Sequence, residues 1–125
     1  MRKRLNNSKM LTLLMILLML VTVQCSSFVK TTYSSLGTAG ILYDTSMKTI
    51  AELYKDGRMS EEAKQEAVRI AQDYYAVYMS AVAALEVYQG MSAGDKEGQK
   101  MRVLELMEKL AEIGGHLSDI INKHK

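Results

Sequence analysis

The stretch SEEAKQEAVRIAQDYYAVYMSAVAALEVYQ, residues 60–89, decides the fold class. Ala63, Ala67, Ile70, Tyr74, Val77, Ala81, Ala84 and Tyr88 recur at spacings of four and three, which places them along one seam of an α-helix. Ala71, Tyr75, Tyr78, Val82 and Leu85 widen that seam, as expected of a helix that meets two neighbours. Ser60 is a good N-cap, and Glu61 and Glu62 complement the positive end of the helix dipole. Upstream, Asp56-Gly57 supplies a helix stop. The cluster is far shorter than the ~12-residue calcium loop and reads as a turn.

Working outward, a first helix is predicted from about 27 to 55. Val29, Tyr33, Leu36, Gly40, Tyr43, Met47, Ile50 and Tyr54 form its seam. Gly37 and Gly40 weaken that helix by ~1 kcal/mol each relative to Ala, and read best as a kink or as tight packing against the bundle. Downstream, Gly90, Gly94 and Gly98 bracket a loop, and Asp95 or Ser92 can begin a third helix that is secure over 99–123. Val103, Leu106, Leu110, Ile113, Leu117 and Ile120 form its stripe, broadened by Met107 and Ile121, with a kink or early stop expected at Gly114-Gly115. The chain has no proline and is rich in residues that lose little rotamer freedom in a helix. The expected fold is all-α: an elongated antiparallel three-helix bundle over 26–125, preceded by a signal segment over 1–25.

That segment has its own grammar. Arg2, Lys3, Arg4 and Lys9 precede an apolar run from Met10 to Val23, broken only by Thr12 and Thr22. At 1.5 Å per residue the run spans about 21 Å, short of the ~30 Å hydrocarbon core, which fits a removable export signal better than a permanent span. The one cysteine, Cys25, follows directly. Val21-Thr22-Val23-Gln24-Cys25 resembles the lipobox of bacterial lipoprotein precursors, although that family favours Leu where Thr22 stands and Gly, Ala or Ser where Gln24 stands. The resemblance implies diacylglyceryl modification of Cys25, cleavage before it and a palmitate-type anchor. It also implies a place on the cell membrane or outer membrane, facing the periplasm or exterior. In a diderm bacterium Ser26 would permit transfer to the outer membrane. Ordinary cleavage framed by Val23 and Cys25, or by Cys25 and Ser27, and an uncleaved short anchor remain open alternatives. Only Ser26 to about Phe28 is left as linker.

Residues 26–125 hold 12 basic and 14 acidic residues, a formal charge of −2, so the basic balance of the whole chain resides in the segment before Cys25. No basic stripe favours nucleic acid, and no nucleic-acid partner is expected. One cysteine permits no internal disulfide, so stability rests on packing, with self-association as a further resource.

Chemistry is sparse. Glu105, Glu112, His116 and Asp119 share a face of the third helix away from its apolar stripe, among Glu108, Lys109 and Lys123. A bundle metal site points Glu-x-x-His pairs inward, and the chain contains no such pair, so a solvated face is the reading and no metal or cofactor is expected. Of the ten methionines several lie in the signal segment, and the rest are scattered at core spacing or at helix ends, as flexible filler rather than gathered for copper. Tyr74, Tyr75 and Tyr78 are the candidate interaction surface, weighed against a place at the core edge. The combined expectation is a non-enzymatic, lipid-anchored envelope protein with a structural or protein-interaction role. It would act through the membrane anchor and through helical faces offered to a partner or a second copy. The alternative is a soluble periplasmic ligand-binding module. The overall style is similar to small exported helical proteins encoded in prophages, a likeness that implies no activity.

Overall fold

The computed structural model describes residues 2–125, with side chains at 9, 11–16 and 27–125. Three helices account for the chain: α1 (Arg2–Lys55), α2 (Glu61–Gly90) and α3 (Lys96–Asn122). No strand occurs among the described residues. The contacts divide the chain into two units, Met1–Tyr33 and Ser34–Lys125.

In the first unit the backbone is helical through residues 26–28, where a linker was expected. Neither Gly nor Pro occurs before Gly37 to break the i→i−4 ladder, and the Thr32 hydroxyl donates to the Phe28 carbonyl at 2.7 Å inside it. Leu11, Leu13, Leu14, Met15 and Ile16 are exposed. Among the described residues no helix is long and apolar enough to cross a membrane.

The second unit is an up-down-up bundle. Pairings between Ala39 and Tyr74, Tyr43 and Tyr75, and Tyr54 and Lys64 run α2 antiparallel to α1. Gln99 beside Ala84 and Gly114 beside Tyr74 run α3 antiparallel to α2. One end of the core joins Ile50 and Leu53 of α1, Met59 of the turn, Ala67 and Ala71 of α2, and Leu117 and Ile121 of α3. α2 supplies its predicted seam, with Ala67, Tyr74, Ala81, Ala84 and Tyr88 buried.

The seams of α1 and α3 are each offset at alternate positions. In α1, Leu36, Ala39, Ser46, Ile50 and Leu53 are buried, whereas Tyr33 and Tyr54 of the predicted stripe are exposed. In α3, Gly114 takes the place expected of Ile113, and Ile121, from the broadened edge of the stripe, is more deeply buried than Ile120. The cause is volume: α2 brings alanines and two tyrosine rings to the axis. The positions that meet the Tyr74 ring and hydroxyl on α1 and α3 accordingly go to small residues, Ala39 and Gly114.

The turn between α1 and α2 behaves as its sequence demands. Arg58 N–H donates to Leu53 O at 2.9 Å and Gly57 N–H to Tyr54 O at 3.1 Å, the paired bonds of a Schellman ending. That ending needs the left-handed backbone adopted by Gly57, at φ +72°. Ser60 Oγ accepts the Ala63 N–H at 3.1 Å and caps α2. α3 begins at Lys96, three residues ahead of the secure start. Gln99 is tied to α2 by Nε2 donating to Ala84 O at 2.9 Å, and Asp95 stands at the N-cap without a side-chain bond.

The expected interruption at Gly114-Gly115 does not occur, since α3 continues to Asn122. Gly114 provides clearance instead. A Cβ there would lie 3.1 Å from Tyr74 Cε2, whereas Gly115 faces open space. Gly40 has the same role for Tyr78, whose hydroxyl would lie 3.3 Å from an added Cβ. Gly37 has nothing within 4 Å.

Candidate interaction surface

The three neighbouring tyrosines of α2 part company because adjacent residues on a helix point about 100° apart. Tyr74 is 2% exposed, and its hydroxyl donates to the Ala39 carbonyl at 2.9 Å. Burial, with the neighbouring Tyr78, holds its phenol above the usual value. Tyr74 is therefore core and lies outside any surface the other two form. Tyr75 is 44% exposed and Tyr78 half-buried.

These two acquire a partner that sequence spacing did not single out. Tyr43 of α1 packs on Tyr75 with ring centroids 4.9 Å apart and planes 37° apart, and Tyr75 stacks on Tyr78 at 6.0 Å and 29°. Such tilted and offset arrangements suit the ring quadrupoles. The row of three rings borders an open depression of about 690 Å³, edged by Gly40, Ile41 and Asp44. Ile41 is 68% exposed, and Met79, one turn beyond Tyr75, is exposed as well. Finding Tyr43 required the α1–α2 register, because it had been assigned to the α1 seam.

Two further concavities lie within the bundle. One, of about 460 Å³, runs between α1 and α3 over Ala39, Leu42, Leu110, Ala111 and Gly114, with the Tyr74 ring as its floor. It is apolar and shallow, the consequence of small residues meeting on both helices. The other, of about 360 Å³, gathers Glu66 and Ile70 of α2 with His116, Asp119 and Ile120 of α3, together with Lys123 and His124. His124 Nδ1 lies 2.8 Å from the Ile120 carbonyl.

Glu105, Glu112, His116 and Asp119 are all exposed. Among the described residues no three histidine, cysteine or acidic side chains are placed to share a metal ion. Cys25, the candidate lipidation site, lies outside the residues whose side chains are described.

A small all-α helical bundle bearing a partly exposed tyrosine row is the class of protein this fold and surface define. No protein-family model, curated protein or solved structure matches the chain.

Proposed function

We propose that this chain is exported and lipid-anchored at Cys25, and that its bundle has a structural or protein-interaction role in the cell envelope. The observation that carries the reading is the order of the first 25 residues: Arg2, Lys3, Arg4 and Lys9, the apolar run from Met10 to Val23, then the one cysteine. The exposure of Leu11, Leu13, Leu14, Met15 and Ile16 supports it. Consecutive apolar residues cover every side of a helix, and such a helix belongs in a lipid or protein interior rather than in water. Cleavage before Cys25 would leave a mildly acidic domain, and modification would use up the only thiol. The reading assigns no catalysis, metal or cofactor to the bundle.

The test is intact-mass analysis with detergent-phase partitioning of the chain and of Cys25→Ser. Lipidation predicts a mature N-terminus at Cys25 carrying acyl mass and recovery in the detergent phase, with both lost in the variant. The tyrosine row favours a second reading, a soluble periplasmic ligand-binding module. That reading predicts an unmodified protein in the aqueous phase, a result that would remove the anchor.

A further inference from the structure

We infer that the tyrosine row receives a cationic side chain, arginine or lysine, of a partner polypeptide whose neighbouring apolar residues cover Ile41 and Met79. The inference deepens the protein-interaction part of the proposed function and does not depend on the lipid anchor.

The chemistry begins with two of the other four tyrosines of this chain, Tyr54 and Tyr88. Lys64 Nζ stands 4.1 Å from the ring centroid of Tyr54, and Lys96 Nζ stands 5.1 Å from that of Tyr88. In both cases the negative face of the ring is matched by a cation from the same chain. The row of Tyr43, Tyr75 and Tyr78 is not matched in this way. Among the described residues no lysine or arginine stands over these rings. Among the described residues Asp44, at the rim of the same depression, makes no ion pair, not even with Lys48 one turn along α1. Three electron-rich rings and a carboxylate at the rim of one depression are chemically complementary to a cation.

The shape selects the carrier. A small free ammonium ion is best held in a closed aromatic cage, but this depression is open and its rings lie tilted by 37° and 29° rather than as facing walls. A small ion would also leave Ile41 of the rim, and Met79 one turn beyond Tyr75, bare. A polypeptide segment places a guanidinium or ammonium on the rings while its adjacent side chains cover both. Arginine suits the site especially, because its planar group stacks on tyrosine and still donates to a carboxylate. Gly40 lies against Tyr78: an added Cβ would stand 3.3 Å from its hydroxyl and require the ring to give slightly.

The probe is a blocked Leu-Arg-Leu peptide, with the same peptide bearing neutral citrulline as control. Both are titrated into the full chain, tyrosine-labelled for NMR and held in detergent micelles. The arginine peptide is expected to move the ring signals of Tyr43, Tyr75 and Tyr78 while leaving Tyr54 and Tyr88 in place. Citrulline is expected to weaken binding by about five-fold, and Asp44→Asn and Tyr75→Ala by about two- to five-fold each. Tyr75→Phe, which keeps the ring, should bind like the parent, and unchanged helical circular dichroism establishes that every variant is folded. Equal binding of the two peptides, or an unchanged affinity in Asp44→Asn, overturns the inference. It is equally overturned if a chitooligosaccharide moves these rings where the arginine peptide does not, or if sedimentation shows a dimer of the chain that Tyr75→Ala abolishes. Because binding is read on the bundle itself, the result is separate from the lipid mass that tests the anchor.

Discussion

Two adjacent glycines of α3 should respond in opposite ways to the same substitution. Alanine is favoured over glycine in a helix by about 1 kcal/mol, so Gly115→Ala, which faces open space, should stabilise the bundle by about that amount. Gly114→Ala receives the same intrinsic gain, but its methyl would sit 3.1 Å from Tyr74 Cε2 and 3.6 Å from Leu42 Cδ2. The ring has little room to retreat, since it is 2% exposed and its hydroxyl is bonded to Ala39 O at 2.9 Å. Forcing such a contact in a packed core costs about 1–3 kcal/mol, which leaves Gly114→Ala between neutral and about 2 kcal/mol destabilised. The separation between the two variants is therefore about 1–3 kcal/mol. Urea unfolding followed by circular dichroism resolves it, as does melting, at roughly 4–8 °C per kcal/mol for a domain of this size. In a Tyr74→Leu background, which removes the ring edge, the Gly114 penalty should shrink, and a double-mutant cycle measures by how much. If Gly114→Ala proved as stabilising as Gly115→Ala, the ring would not be wedged against α3 and the packing argument would fail.

Tyr74→Phe keeps the ring and loses the bond to Ala39 O, so unfolding should show a loss of about 1 kcal/mol. The phenol of Tyr74 is held above its usual value by burial, so its stabilising contribution is complete below the ordinary tyrosine range, near pH 10, and is lost as pH rises through the folded value. Tyrosinate absorbance should accordingly show Tyr74 ionising above pH 10 together with loss of helix, and a Tyr74 that ionised early in the intact fold would contradict its burial. Ser60→Ala removes the acceptor for the Ala63 N–H and should cost about 1 kcal/mol, whereas Ser60→Asp should restore most of it. Glu61 is held below the usual carboxylate range chiefly by its hydrogen bond with Tyr54, and then by Lys64. Its contribution at the first turn of α2 is therefore present above that range and lost as pH falls through the folded value, and it should be missing from the acid limb of the unfolding profile in Glu61→Gln.

What could be read from residue spacing was whatever one helix decides alone. The four-and-three rhythm of α2, its Ser60 cap and the Gly57 stop need no partner to be interpreted. The choice between Ala39 and Gly40, or between Ile113 and Gly114, as the buried residue depends instead on which side chain a neighbouring helix brings to the same level. Tyr74 of α2 meets both buried residues, its ring lying against Gly114 and its hydroxyl bonded to the Ala39 carbonyl. The split of Tyr74 from Tyr75 follows from helical geometry once one of them is fixed inside. The recruitment of Tyr43 follows only from the register of α1 against α2. The same holds for the cleft that joins Glu66 to His116 and His124 across two helices. The continuity of α1 through residues 26–28 went unread for another reason: a composition shift suggests a boundary, but only a glycine, a proline or a cap enforces one.

The connectivity of the bundle bears on time as well as on stability. Helices adjacent in sequence are joined by turns only a few residues long, so the α1–α2 and α2–α3 pairings can begin next to a small loop, although the finished core also joins α1 to α3. Helical domains of that kind fold in microseconds to milliseconds, whereas a ribosome adds about 5–20 residues per second. The α1–α2 hairpin thus has ample time to form before α3 has been synthesised. On the export route proposed above, that speed becomes a liability, because a chain threaded through a membrane channel must stay open until it has passed. The apolar run near the N-terminus would then have to be captured early, while the bundle is still incomplete, and variants that hasten hairpin closure should slow secretion even as they raise the melting temperature.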